Sequence, residues 1–282
     1  MPATGSPTAR RRELGKMLRE CRTTLGITVE DVAKHLLVSP SKISRIETGQ
    51  RNITARDIRD LAVLYRLTDD ERELLAELAA GGKTRAWWQP FDLPYYYSIY
   101  VGLEADATSI RDFATGVVPG LLQTAQYAQA VARASAVDRS DEIIQQRVQT
   151  RLERQRHVLH EAGTSFSALI DESALRRVVG GSAVMENQMK ALVTASELQN
   201  VTIRIVPFTA GPIPVPTNKF IILSFDGPPD VVFLESLTGQ LVLERESDIT
   251  AYHDAYATLQ GLALPAEGSY DKLLSLQREY EK

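Results

Sequence analysis

VEDVAKHLLVSPSKISRIETG, residues 29–49, decides the fold of the first part of this 282-residue chain. Thr28, just before it, can cap a helix, and Glu30 and Asp31 fall in the first turn, where the helix dipole favours acids. Val29, Val32, Ala33 and Leu36 recur at helical spacing and form one inner face. Ser39 caps a second helix, with Pro40 at its first position, where a missing N–H costs nothing. Ile43 and Ile46 anchor that helix from below, and Gly49 stops it. Only Leu37-Val38-Ser39 remains for a turn, and Ala33 is small where the two helices cross. A helix, a short turn and a second helix with a free outer face predict a helix-turn-helix. Such a motif presents the N-terminal half of its second helix to base edges in a major groove.

Working outward, Leu14, Leu18, Cys21 and Leu25 predict a preceding helix that Gly26 ends. Thr54 caps a fourth helix carrying Ile58, Leu61 and Leu64. Thr68 caps a fifth, with Leu74, Leu75 and Leu78 facing inward. Residues 12–80 thus read as an all-α, five-helix domain. Residues 1–11, MPATGSPTARR, are small and polar and predict a disordered arm, with Arg10, Arg11 and Arg12 able to reach along DNA. Charge is uneven: residues 1–66 hold 13 Lys and Arg against 7 Asp and Glu, and the other 216 hold 19 against 29. A basic head on an acidic body suits a head that approaches phosphates.

Position assigns the roles. Ser41 and Arg45 lie on the outer face of the second motif helix, and the Arg45 fork matches guanine. Lys42 and Ser44 flank them as further base contacts. Thr28 and Ser39, at helix starts, and Arg51 and Asn52, just past the helix, are placed for phosphates. These features, with LRECRTTLGIT and SPSKISRIETG, resemble the XRE (Cro/repressor-like) family over Leu14 to about Leu67. The resemblance implies a structural ion pair between Arg22 and Glu47 beneath the DNA face. Two positions depart from the family pattern. Leu37 replaces the turn glycine and must take an uncommon backbone or shift the turn. Val29 replaces the glutamine that often grips a phosphate.

Gly81 and Gly82 mark a break. Residues 81–103 are not periodic and carry Trp87, Trp88, Phe91, Tyr95, Tyr96, Tyr97 and Tyr100, which predicts a connector packed on the second half. From residue 104 to 282 the pattern mixes helices and strands, so an α+β domain with a small mixed sheet and flanking helices is expected. Helical spacing covers Glu104–Ala114, Leu121–Ala134, Ser140–His160, Ser173–Val179, Ala183–Leu198, Asp248–Leu262 and Tyr270–Tyr280. Strands are expected over Phe166–Ile170, Val201–Pro207, Phe220–Phe225, Val231–Glu235 and Leu241–Glu244. Thr238-Gly239 would turn the last two into a hairpin.

Arg147, Arg151 and Arg154 share one helix face, and Asp171, Glu172 and Glu235 end strands. Together they form a candidate network, for which structural ion pairs are the default explanation, ahead of an active site. His157 and His160 are three apart but have no evident third ligand, so no metal is expected. Ser182 lacks the flanks of a nucleophile elbow, and neither a P-loop nor a dinucleotide fingerprint is present. No cofactor and no enzymatic activity are expected. The stretches VPGLLQTAQYAQA, RVQTRLERQ, LIDESALRRVVGG, QMKALV, IRIVPFTAG, FIILSF and VVFLES are similar to a domain attached to XRE regulators in filamentous actinobacteria. That similarity implies a regulator of development or secondary metabolism, or an antitoxin-like protein with a small partner protein encoded nearby. It supplies no defined small-molecule effector.

Double-stranded DNA is the expected partner, read by a homodimer on a pseudo-palindromic site. No apolar run reaches bilayer length and no signal peptide is evident, so no membrane is expected. Cys21 is the single cysteine. A bacterial cytoplasm, in association with the nucleoid, is the natural setting.

Overall fold

The computed structural model describes residues 7–49, 51–81, 88, 91, 93, 95–135, 140–214, 219–226, 228–236 and 240–281. The chain forms two compact units, Met1–Asp106 and Ala107–Lys282.

The first unit is helical: α1 (Pro7–Thr24), α2 (Val29–His35), α3 (Pro40–Glu47), α4 (Ala55–Leu64), α5 (Asp69–Gly81) and α6 (Tyr95–Asp106). Its core joins Leu14 and Leu18 of α1, Val32 and Ala33 of α2, Ile43 and Ile46 of α3, Ile58 and Leu61 of α4, and Leu75 and Leu78 of α5. Leu25 and Leu74, expected inside, are 40% and 41% exposed. The predicted caps form. Thr28 and Asp31 make a reciprocal box at α2, and Thr54 and Asp57 make one at α4. Thr68 and Glu71 exchange hydrogen bonds at the start of α5.

The arm prediction for residues 1–11 is corrected in part. Pro7–Arg11 form the first turns of α1, since Pro7 suits a helix start and Ala9 with three arginines propagates it. Residues 1–6 lie outside the described residues. The connector prediction for residues 81–103 is corrected too. Its second half is α6, which packs against α1 within the first unit. Tyr100, Val101, Gly102, Leu103 and Glu104 are all buried. A helix buried on every side shows no amphipathic period, which is why the pattern hid it. Trp88 is buried, whereas Trp87 lies outside the described residues, as does the Thr238-Gly239 turn.

The second unit is built on one mixed sheet of β1 (Ser109–Ala114), β2 (Ser165–Asp171), β3 (Val201–Val206), β4 (Phe220–Ser224), β5 (Val231–Glu235) and β6 (Gln240–Leu243). The order is β3-β2-β1-β4-β5-β6. β1, β2 and β3 run parallel, and β4, β5 and β6 continue antiparallel. Between β1 and β2 come a 3-10 turn (Gly120–Leu122), α7 (Ala125–Ser135), α8 (Asp141–Gln155) and a π-helical turn (Arg156–Glu161). α9 (Glu172–Arg176) and α10 (Ser182–Ser196) join β2 to β3, and α11 (Glu246–Leu262) and α12 (Ala266–Tyr280) follow the sheet. Tyr256 and Leu259 of α11 cover one sheet face, on Phe113, Leu169, Phe220, Ile222 and Val232. α10 and α12 pack against each other and on β3.

The helix expected over Glu104–Ala114 is corrected: it is the end of α6 followed by β1. Leu103, Ala107, Ile110 and Ala114 recur at helical spacing, but they straddle a break at Ala107-Thr108. β1 lies between β2 and β4 and carries the charged pair Arg111-Asp112, which masks its strand pattern.

Candidate nucleic-acid interface

α3 starts at Ser39, whose Oγ accepts from the Lys42 N–H at 3.3 Å, with Pro40 behind it. Ile43, Ile46 and Glu47 face inward and are buried. Ser41, Ser44 and Arg45 are exposed on the opposite side. Arg45 folds back along the helix, donating from Nε to the Ser41 carbonyl at 3.2 Å and from a terminal nitrogen to Ser41 Oγ at 3.3 Å. Both bonds lie at the surface, so a better acceptor on a base edge can replace them. Arg51 and Asn52 follow, exposed, and the Arg51 N–H donates to the Arg45 carbonyl at 3.0 Å.

Two ion pairs hold α3. Arg22 donates from Nε to Glu47 Oε1 at 2.6 Å and from a terminal nitrogen to Oε2 at 2.9 Å, and its other terminal nitrogen reaches the Ile27 carbonyl. The hydrogen bond to Glu47 pushes the Arg22 guanidinium above its ordinary value. Removing one member of such a largely buried pair costs about 3–5 kcal/mol. At the other end of α3, Lys42 Nζ donates to Asp57 Oδ2 at 2.9 Å. The prediction that Lys42 contacts bases is therefore corrected. Its stem turns inward to a carboxylate on α4, and only 17% of the side chain is exposed.

Thr28, predicted to hold a phosphate, is likewise taken. Its N–H and its hydroxyl both donate to Asp31 Oδ2, at 3.1 and 2.6 Å. Those bonds hold the Asp31 carboxyl below its usual range. A carboxylate already fills the N-terminal anion position of α2, and it opposes a phosphate there. The turn runs through Leu37 at φ 55°, closed by Val38 N–H to the Ala33 carbonyl at 2.9 Å. Leu37 is 90% exposed.

α1 lies against the end of α3 through two glycines. A Cβ on Gly15 would sit 2.6 Å from the Ile46 carbonyl oxygen, and one on Gly49 would sit 2.8–2.9 Å from Arg12. Arg12 thus packs beside the turn that follows α3, while Arg10 and Arg11 immediately precede it on the same helix rather than in a free arm.

In the second unit the predicted six residues divide: Arg151, Arg154 and Glu235 come together, and Asp171 and Glu172 make other contacts. Arg147 is exposed. Arg151 bonds Gln123 Oε1, and Arg154 is buried. Glu235 pairs with Lys219; burial pushes its carboxyl up, and Lys219, Arg151 and Arg154 together pull it below its usual range. Asp171 caps α9, accepting from the Ser173 N–H at 2.9 Å. Glu172 accepts from Arg176 at 3.2 Å, Lys272 at 3.0 Å and the Phe208 N–H at 3.0 Å. Burial pushes the Glu172 carboxyl up, and these partners outweigh it.

Sequence reading missed three glutamines that hold the Val118–Thr124 loop. Gln123 donates to the Val118 carbonyl, Gln155 to the Gly120 and Gln123 carbonyls, and Gln188 to the Leu122 carbonyl. No local pattern marks such long-range amide contacts. It also missed the chain in which Ser224 and His253 meet Asp230 at 2.8 and 2.9 Å and Arg111 meets the other His253 nitrogen at 2.9 Å. His157 pairs with Glu161 in the π-helical turn, His160 is exposed, and Ser182 opens α10. Among the described residues, no group of three metal-ligating side chains comes together and no helix is long and apolar enough to cross a membrane.

A helix-turn-helix with an exposed polar and basic face on its second helix defines a DNA-binding protein of the regulator class. A family profile described as a helix-turn-helix domain matches residues 13–75. A second, described as a domain of unknown function (DUF5753), matches residues 97–275, well over half of the chain. The chain therefore belongs to the DUF5753 family and carries a helix-turn-helix head. No curated protein and no solved structure matches it.

Proposed function

We propose that the protein is a sequence-specific transcriptional regulator of the XRE type that binds its operator as a homodimer. Ser41, Ser44 and Arg45 read base edges, and Ser39, Arg51 and Asn52 contact phosphates. The observation that carries this reading is the division of α3. Ile43, Ile46 and Glu47 are locked inside, while Ser41, Ser44 and Arg45 are exposed at the surface. The second unit senses a partner or ligand, contributes to dimerisation and performs no catalysis. Asp171 and Glu172, its best acidic candidates, are spent on a helix cap and on ion pairs. The protein acts in the cytoplasm. Control of development or secondary metabolism is the process that the similarity of the second half suggests.

The test is binding to the DNA upstream of its own gene across a salt series, wild type against Arg45→Ala. Loss of one bidentate base contact costs about 1–3 kcal/mol of discrimination and leaves weak, salt-sensitive binding. A wild-type chain with no preference over random DNA would sink the reading.

A further inference from the structure

The carboxyl ends of β1, β2, β3 and β5 lie along one edge of the sheet in the second unit, and so do the starts of β4 and β6. The chain leaves β1 for β2 and β3 on one side and comes back through β4 on the other. In open α/β sheets such a switch point opens a crevice outside the carboxyl ends, and ligands bind there. Here that edge is charged. Lys219 precedes β4, Glu235 ends β5, and the two pair. Arg151 and Arg154 of α8 act on the same carboxylate and help to hold it below its usual range.

The two guanidinium groups converge on the loop that follows β1. A Cβ on Gly120 would lie 3.8 Å from Arg151 Nε and 3.8 Å from a terminal nitrogen of Arg154. Glycine adds no side chain between them and the loop backbone. Gln123, Gln155 and Gln188 fix that loop, so its shape is set before any ligand arrives. Arg154 is buried, whereas the side chains of Lys219 and Glu235 are 35% and 45% exposed. The cluster therefore has a closed floor and an open mouth.

Its charges do not balance. Among the described residues three cations act on Glu235, and Asp112, the buried acid on the same face of β1, still leaves one positive charge in excess. Partly buried cations in excess favour an added anion, and guanidinium forks match the oxygens of carboxylates and phosphates. Gln240 lies opposite Glu235 in the β5–β6 register and so on the same face. Its buried Oε1 accepts no hydrogen bond among the described residues. A ligand with an oxyanion beside a hydroxyl or amine would answer both needs.

We propose that this edge binds a small molecule carrying a carboxylate or phosphate next to a hydrogen-bond donor. Arg151, Arg154 and Lys219 hold the anion, and Gln240 accepts from the donor. The inference gives the sensing role proposed above a site and a ligand class, and it rests on that role.

The test is isothermal titration of the full chain without DNA, at constant ionic strength, with glycerol 3-phosphate and with lactate. Each probe carries an oxyanion beside a hydroxyl, and the one that binds tells a phosphate source from a carboxylate source. Saturable binding of one of them is expected. Lys219→Gln should weaken it roughly tenfold, the scale of one hydrogen bond to a charged group. Glu235→Gln removes the carboxylate that competes for the cations, so it should tighten binding severalfold. A cluster that serves structure alone would lose thermal stability in both variants and bind neither probe. The proposal is overturned if neither probe binds, or if the two substitutions leave the affinity unchanged. Should one variant unfold, the other decides by the same criterion. Probe binding that leaves operator affinity unaltered would defeat the sensing role and leave the site standing, whereas operator binding with no probe binding would remove the site and spare the DNA reading.

Discussion

Lys42 on α3 and Asp57 on α4 lie 2.9 Å apart, and the carboxylate has two duties at once. Asp57 holds the Lys42 ammonium, and its Oδ2 accepts from the Thr54 N–H at 3.4 Å, which closes the capping box of α4, whose other half is the Asp57 N–H donating to Thr54 Oγ1 at 3.1 Å. With Arg22 and Glu47 at the far end, the recognition helix is tied to α1 by one ion pair and to α4 by another. The orientation of α3, and with it of Arg45, is therefore held by two buried carboxylates.

Replacing Asp57 should thus act on stability first and on DNA affinity through it. Asp57→Ala keeps the Thr54 cap but removes the reciprocal carboxylate bond and leaves Lys42 without its partner, so a loss of about 2–4 kcal/mol is expected by urea unfolding. Asp57→Asn keeps a side-chain oxygen for the α4 cap and should lose less. An alanine variant within about 0.5 kcal/mol of wild type, the range of surface substitutions, would show that the tie is ornamental.

Acid should loosen both units. Burial pushes the Asp57 carboxyl up, but the bonds from Lys42 and Thr54 outweigh it and hold it below its ordinary value, and Glu172 is held low in the same way. A carboxyl depressed in the folded state contributes stability above its unfolded value and loses it as pH falls through the folded one. Thermal unfolding should therefore be nearly flat from pH 7 to about 5 and weaken below about 4, the range of unperturbed Asp and Glu. Asp57→Asn and Glu172→Gln should each flatten that decline. A wild-type midpoint unchanged down to pH 3 would contradict the linkage.

Much of the head was legible because its signals are local. Caps at Thr28, Ser39, Thr54 and Thr68, the apolar spacing of α2 and α3 and the stop at Gly49 all lie within a few residues of what they control. The Lys42 tie was not legible, since Asp57 is fifteen residues away and reads as an ordinary first-turn acid. β1 was hidden because a strand buried between two neighbours needs no alternation and tolerates Arg111 once His253 receives it. α6 was hidden because burial on every side erases the helical stripe. In the second unit the charged residues were found and their pairing was not, because Glu172 meets Lys272 only after a hundred residues of chain have folded.

Gly15 is where α1 and α3 touch backbone to backbone. A methyl group there would lie 2.6 Å from the Ile46 carbonyl oxygen and 2.7 Å from that of Glu47, and no side-chain rotation can relieve either contact. Gly15→Ala must push the helices apart and strain the Arg22–Glu47 pair. A loss of about 1–3 kcal/mol is expected, the usual cost of overpacking, although alanine is the better helix former. Gain of stability in a thermal melt would mean that α1 sits further from α3 than the structure has it.

Leu37 presents the reverse case. At φ 55° it holds a left-handed backbone that costs a residue with a Cβ about 1–2 kcal/mol, and at 90% exposure its side chain gains almost nothing from burial. Glycine releases that strain and gives back about 0.5–1 kcal/mol through the greater freedom of its unfolded chain. Leu37→Gly should accordingly raise stability by a net of about 0.5–1 kcal/mol, the two terms partly cancelling. For a chain of this size that shifts the melting midpoint by about 1–4 °C. Operator affinity measured beside the melt separates two reasons for the leucine. Unchanged affinity with a higher midpoint means that the head tolerates the strain without using it. Weaker affinity in a more stable head means that the exposed side chain contacts whatever binds there. A lower midpoint would refute the strain argument, because nothing in the native packing of Leu37 could then account for the loss.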